Sequence, residues 1–148
     1  MTSSAARSVP PPTDLGEAMA RIRADGGRIT DAKRAVAELL FATDRALNAD
    51  EITTAVHGIE RSVLYRCLAQ FEVLGIVEHI HLGHGAAVYR RRGLPTVPVA
   101  CMVCGSAWEI GANETQSLRD TVLERTGVTL DLIHFPLTGR CESCQEAS

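Results

Sequence analysis

Cys101-x-x-Cys104 and Cys141-x-x-Cys144 are the residues of this 148-residue chain best suited to do chemistry. A Cys-x-x-Cys turn holds two sulfurs about 3.5–4 Å apart, so two such turns can furnish the tetrahedron that Zn2+ takes in structural sites, at about 2.3 Å per Zn–S bond. Four thiolates leave no coordination position for water or substrate. A zinc ion here, one per chain, would therefore hold structure rather than perform a reaction. The same residues admit two other readings, a pair of disulfides or a dithiol redox centre at one Cys-x-x-Cys. Zinc is favoured because pairing at both ends is specific, and no signal peptide or strand-rich secreted pattern points to an oxidising compartment. The fifth cysteine, Cys67, lies inside an apolar helical pattern and reads as a small core residue.

Hydrophobic residues make up 45% of the chain and charged ones 22%, as in globular proteins generally. No apolar run approaches the roughly 18 residues needed to cross a membrane, so the expected location is cytoplasmic, with no membrane partner. The net charge of −3 hides an asymmetry: residues 1–92 carry 12 Lys+Arg against 11 Asp+Glu, and residues 93–148 carry 3 against 7. A balance of +1 in the first part and −4 in the second permits nucleic-acid contact by the first.

The elements that must position these groups follow from the apolar spacing. Residues 1–13, with Pro10-Pro11-Pro12, read as a disordered arm. Leu15, Ala18 and Ile22 share a face of a first helix that Gly26-Gly27 stops. Thr30 is the expected N-cap of a second helix with Val36, Leu39 and Leu40 apolar, and Asn48 with Glu51 resembles a capping box opening a third. The spacing predicts a fourth helix over 61–74, with Leu64, Leu68 and Phe71 as its stripe and Gly75 as its C-cap. The period then changes to two. Ile76–Leu82 and Ala86–Arg90 read as a hairpin turned at Gly83-His84-Gly85.

Helices followed by a two-stranded hairpin give the order of a winged helix-turn-helix, expected over 14–92, in which the last helix enters the major groove. Residues 93–98, with Gly93, Pro95 and Pro98, read as a hinge. Beyond it, strands at Val99–Met102, Ala107–Ile110 and Val128–Leu137 and a helix at Glu114–Thr126 make residues 99–148 a small α/β lobe carrying the thiolate pairs. The fold class is thus α+β, with an N-terminal winged helix and a C-terminal zinc-binding lobe.

Several short motifs, in this order and spacing, make the chain resemble the ferric uptake regulator family over about residues 15–145. They are Arg28-x-Thr30-x-x-Lys33, Ser62-Val63-Leu64-Tyr65-Arg66 with Leu68, Gly75-Ile76-Val77, Tyr89, Cys101-x-x-Cys104-Gly105 and Gly139-x-Cys141-x-x-Cys144. The resemblance implies a homodimer built by the C-terminal lobe, with two winged helices straddling double-stranded operator DNA. It places Arg28, Thr30, Lys33, Arg61, Ser62, Tyr65 and Arg66 among the DNA-binding residues, which their hydroxyl and guanidinium groups suit. Arg66 also reads as a phosphate clamp alone, and Tyr65 as a half-buried helix residue. Val63 stands where the family usually has Thr, so one polar contact is absent. Arg90, Arg91 and Arg92 read either as a solvated run or as phosphate contacts at the end of the wing.

The departure from the family concerns sensing. Where most relatives carry a His-rich segment before the first Cys pair, this chain has Leu94-Pro95-Thr96-Val97-Pro98-Val99-Ala100, and Gln116, with Glu114 nearby, stands where a helix carboxylate is expected. A rebuilt site for a second divalent metal is available in His79, His81 and His84 with His134, joined by Glu78; strand alternation puts His79 and His81 on one face about 7 Å apart. The same histidines could instead contact phosphates, cover the wing, or tune DNA affinity by protonation. His57, before Gly58, reads as a capping residue.

These readings converge on a transcriptional repressor with structural zinc, altered or absent metal sensing and no small-molecule substrate. The alternative is a dimerisation partner that modulates a complete relative without sensing metal itself. A dithiol oxidoreductase using Cys101 and Cys104 is the weaker reading, because a second Cys pair stands ready as zinc partners and no acid/base network accompanies them. The chain is therefore expected not to be an enzyme.

Overall fold

The computed structural model describes residues 9–81, 87–133 and 135–147. The chain divides into two compact units, Met1–His79 with Val88–Leu94 and Ile80–Ala87 with Pro95–Ser148.

In the first unit, helix α1 (Leu15–Ala24) is capped by Asp14, whose carboxylate accepts from Glu17 N, and α2 (Asp31–Ala42) by Thr30, whose Oγ1 accepts from Lys33 N. A two-residue strand, β1 (Leu47–Asn48), leads into α3 (Ala49–Ala55), where Asn48 and Glu51 form the expected capping box. The turn to α4 (Arg61–Val73) contains Gly58 at φ +80°, and α3 and α4 form a helix-turn-helix. A Schellman motif ends α4: Ile76 N donates to Phe71 O at 2.9 Å and Gly75 N to Glu72 O at 3.1 Å, with Gly75 at φ +70°. Strands β2 (Val77–His81) and β3 (Ala87–Arg91) follow, and the sheet order is β1-β3-β2. The core joins Ala18 and Ile22 of α1, Val36 and Leu40 of α2, Ile52 of α3, and Leu64, Leu68 and Phe71 of α4. Cys67 is buried among them, and burial pushes its thiol pKa up, as suits an inert core residue.

The first unit departs from expectation at three points. Strand β1 pairs Leu47 with Tyr89 and Asn48 with Val88, and two residues ending on the α3 cap are too short a run to show a period. The arm expected over 1–13 is described from residue 9, and residues 9–13 are held: Arg21 Nη2 donates to Pro10 O, Arg92 Nη1 donates to Val9 O, and Pro12 is buried. The arginine run is only partly solvated: Arg91 and Arg92 are half-buried. Arg90 is 1% exposed and donates from Nε to Glu78, Arg91 lies over the Phe41 ring, and Arg92 reaches the Gly75 carbonyl.

The second unit is a sheet ordered β5-β4-β6. Central β4 (Thr96–Cys101) pairs antiparallel with β5 (Ala107–Gly111) and parallel with β6 (Leu137–Gly139). A 3-10 turn (Ala112–Thr115) leads into α5 (Gln116–Thr126), and α6 (Glu142–Glu146) closes the chain. The segment expected as a hinge is in fact half strand. Pro98 is tolerated in β4 because β6 pairs only from Val99 onward, so its missing N–H costs no ladder bond. The strand expected over 128–137 is displaced to Leu137–Gly139, sharing only Leu137 with it, and Val128–Leu130 join no ladder.

Candidate nucleic-acid interface and metal centre

At about 100° per residue, Arg61, Ser62, Tyr65 and Arg66 fall within an arc of about 140° on α4, opposite Leu64, Cys67, Leu68 and Phe71. Burial follows that division: the first four are exposed and the second four are at most 3% exposed. Tyr65 is 44% exposed. The first turn of α4 carries no acidic residue, and Arg61 and Ser62 stand at its positive end. Arg61 forms an ion pair with Asp50 at the start of α3. The Asp50 carboxylate, and after it the Tyr65 phenol, hold the Arg61 guanidinium above its ordinary pKa. Asp50 was not legible as a partner of Arg61, because the sequence shows it only as an acidic first-turn residue of α3.

Before α2, Arg28 and Thr30 are exposed and Lys33 is half-buried. Thr30 serves as the helix cap, so its oxygen positions α2. Lys33 Nζ lies beside Gly27, where the Gln70 amide of α4 also comes close. Gln70 in turn donates to Asp25 at 3.1 Å, tying the recognition-type helix to the α1–α2 turn.

In the second unit, register assembles the cysteines. Cys101 is the last residue of β4 and pairs in parallel register with Gly139, two residues before Cys141. Gly105, at φ +77°, turns the chain after Cys104, and Cys141 is the N-cap of α6, which carries Cys144. The four sulfurs all lie within 4.8 Å of one another, with Cys104 and Cys141 Sγ 3.8 Å apart. All five cysteines are free, and 3.8 Å is far beyond the ~2.05 Å of a disulfide. It matches the edge of about 3.8 Å that four Zn–S bonds of about 2.3 Å imply.

The electrostatics of the quartet call for a cation. N–H groups of Cys104 and Cys141 lower the Cys101 thiol to about 6, and Ser106 lowers Cys104. Cys144, facing Cys141, Cys104 and Cys101, is pushed up to about 12. Four thiolates at these separations cannot all carry charge unless a metal compensates them, and the donor set fits a thiophilic ion. Ser106, whose Oγ lies 3.1 Å from Cys104 Sγ, is a supporting residue that the cysteine spacing did not reveal.

Residues 24–137 match the family model described as the ferric uptake regulator family. The chain belongs to the ferric uptake regulator family. It is 28% identical over 134 residues to the ferric uptake regulation protein of Neisseria meningitidis serogroup B, covering 86% of this chain and 92% of that one. It is 29% identical over 128 residues to the zinc uptake regulation protein of Mycobacterium tuberculosis H37Rv, covering 82% and 98%. Its fold superposes on the Helicobacter pylori ferric uptake regulator with TM-score 0.71 at 18% identity, over 93% and 97% of the two chains. As a ferric uptake regulator family member, the chain is a DNA-binding transcription regulator, from a family whose members are metal-responsive, and not an enzyme.

Within this family frame, the wing residues are placed as follows. His79 and His81 are both exposed; Nδ1 of His79 contacts Glu72 at the end of α4, and its ring tilts against Tyr89 at 6.3 Å. Glu78 accepts from the buried Arg90 at 2.8 Å, so its carboxylate belongs to an ion pair. His84 and His134 lie outside the described residues. Among the described residues, only the cysteine quartet gathers three or more metal-type ligands. Glu114 accepts from Gly111 N as a turn cap, and Gln116 donates to Asp120. His57 is exposed beside Gly58.

Proposed function

We propose that the protein is a homodimeric, sequence-specific transcriptional repressor, cytoplasmic, carrying one structural Zn2+ per chain at Cys101, Cys104, Cys141 and Cys144. The observation that carries this reading is the division of α4 into a buried apolar face and an exposed Arg61-Ser62-Tyr65-Arg66 face behind a helix-turn-helix. Arg61 and Arg66 supply cations, and Ser62 and Tyr65 supply hydroxyls, for phosphates and base edges in a major groove. Arg28, Thr30 and Lys33 flank them with backbone contacts.

Dimerisation through the second unit is supported by its bare apolar surface. No residue of α5 is buried, and Trp108, Leu118, Leu123, Val128 and Phe135 are all exposed. A monomer rarely leaves that much apolar surface uncovered. The zinc assignment rests on the all-thiolate donor set and its tetrahedral spacing. Metal sensing is altered or absent: residues 94–100 carry neither His nor carboxylate, and 96–100 lie within β4, with Val97, Pro98 and Ala100 buried.

Selection of duplexes from a random pool by the purified zinc-loaded protein tests the reading. Recovery of a palindrome bound by a particle of two-chain mass is expected. Recovery of no duplex, with binding appearing only after a second family regulator is added, would replace it with the role of a modulating partner.

A further inference from the structure

We propose that the Val9–Pro12 segment is a strap that fixes the corner between α4 and the wing, with Arg21 and Arg92 as positioning residues for DNA binding. The proposal builds on the reading of α4 as the DNA-contacting helix. The Schellman bonds at the end of α4 satisfy the carbonyls of Phe71 and Glu72. The carbonyls of Leu74 and Gly75, which close the corner, are taken by side chains: Arg21 Nη1 donates to Leu74 O at 3.3 Å and Arg92 Nη1 to Gly75 O at 3.2 Å. Two guanidinium groups thus sit at the negative end of the helix dipole.

Each of these arginines also grips the proline-rich segment. Arg21 Nη2 donates to Pro10 O at 2.7 Å, and Arg92 Nη1 donates to Val9 O at 2.8 Å. Neighbouring carbonyls of the strap and neighbouring carbonyls of the helix end are therefore bridged in parallel by one arginine from α1 and one that follows β3. Glu17 accepts from Arg21 at 3.0 Å and fixes its third side. Pro12 is buried, and Pro11 lies so close to Gly93 that a Cβ there would stand 3.2 Å from its ring atoms. Proline suits the strap because an extended polyproline backbone keeps its carbonyls free to accept and loses little entropy on docking. The Arg92 backbone N also donates to Ile76 O at 2.9 Å, so the strap bears on the residue where the wing leaves the helix.

The test compares the full chain with chains lacking residues 1–8 and 1–12. Amide exchange at Gly75 and Ile76 reads the corner without DNA. Removing 1–12 is expected to lower protection there by roughly tenfold, as two helix-end cations lose their anchors. Operator affinity should fall by a similar factor with an unchanged salt slope, because no phosphate contact is removed. The chain lacking 1–8 should match the full chain in all three readouts. If the longer deletion unfolds, Arg92→Gln is expected to give the same pattern. Unchanged exchange at Gly75 and Ile76 would overturn the strap, as would affinity already lost without residues 1–8 or a reduced slope, which would place the arm itself on DNA. If the full chain binds no duplex, the DNA reading fails while the exchange result still decides the strap.

Discussion

Arg90 donates from Nε to the Glu78 carboxylate at 2.8 Å, with its guanidinium side chain 0% exposed. The pair crosses from β3 to β2 and locks the wing hairpin from inside. Removing one partner of such a pair leaves a buried charge without compensation. Glu78→Ala should therefore destabilise the protein by about 3 kcal/mol in urea unfolding. Glu78→Ala combined with Arg90→Met should recover much of that loss, whereas a double variant no more stable than the single one would show the charge is not what matters.

Much of the first unit could be read in advance because each helix announces itself twice, by its cap and by its apolar stripe. Thr30, Asn48 with Glu51, and Gly75 all perform the expected terminal roles. Arg90 was misread because neighbouring charges suggest a solvated edge, and its burial depends on Glu78, twelve residues away. Likewise, Pro95 and Pro98 suggested a hinge, while the register that makes Pro98 harmless depends on β6 some forty residues later. The cysteine quartet was legible as a pattern. Its assembly depends on the parallel pairing of Cys101 with Gly139, which spacing alone does not encode.

Metal removal should act on the second unit. That unit has few buried apolar residues, and α5 contributes none, so a metal clasp has much to stabilise. Elemental analysis should find one zinc per chain, and Cys101→Ser should abolish it. Chelation should lower the melting temperature of the wild-type protein and leave that of Cys101→Ser unchanged. Retention of zinc by Cys101→Ser would remove that thiolate from the site.

The metal-free protein should show a two-sided pH dependence. Cys101 falls from an ordinary 9.0 to about 6 in the fold, so its contribution is present above pH 9 and is lost as pH falls through 6. Cys144 rises from 9.0 to about 12, so its contribution is full below pH 9 and is lost as pH rises through 12. Thermal unfolding after zinc removal should thus be most favourable to the fold near pH 9, and a flat profile from 6 to 11 would contradict this arrangement of the thiols. With zinc present, affinity should drop steadily on acidification, because binding releases the thiol protons.

The central claim, that the exposed face of α4 reads DNA, is tested most directly by the salt dependence of binding to the selected palindrome. Wild-type protein and the Tyr65→Ala/Arg66→Ala variant are compared by fluorescence anisotropy. These side chains are exposed, so the variant should keep wild-type stability to within about 0.5 kcal/mol. Wild-type binding should weaken linearly in log–log form with salt, and the variant should lose roughly 2–4 kcal/mol of affinity with a shallower slope. Equal affinity and equal slope for the two proteins would contradict the account.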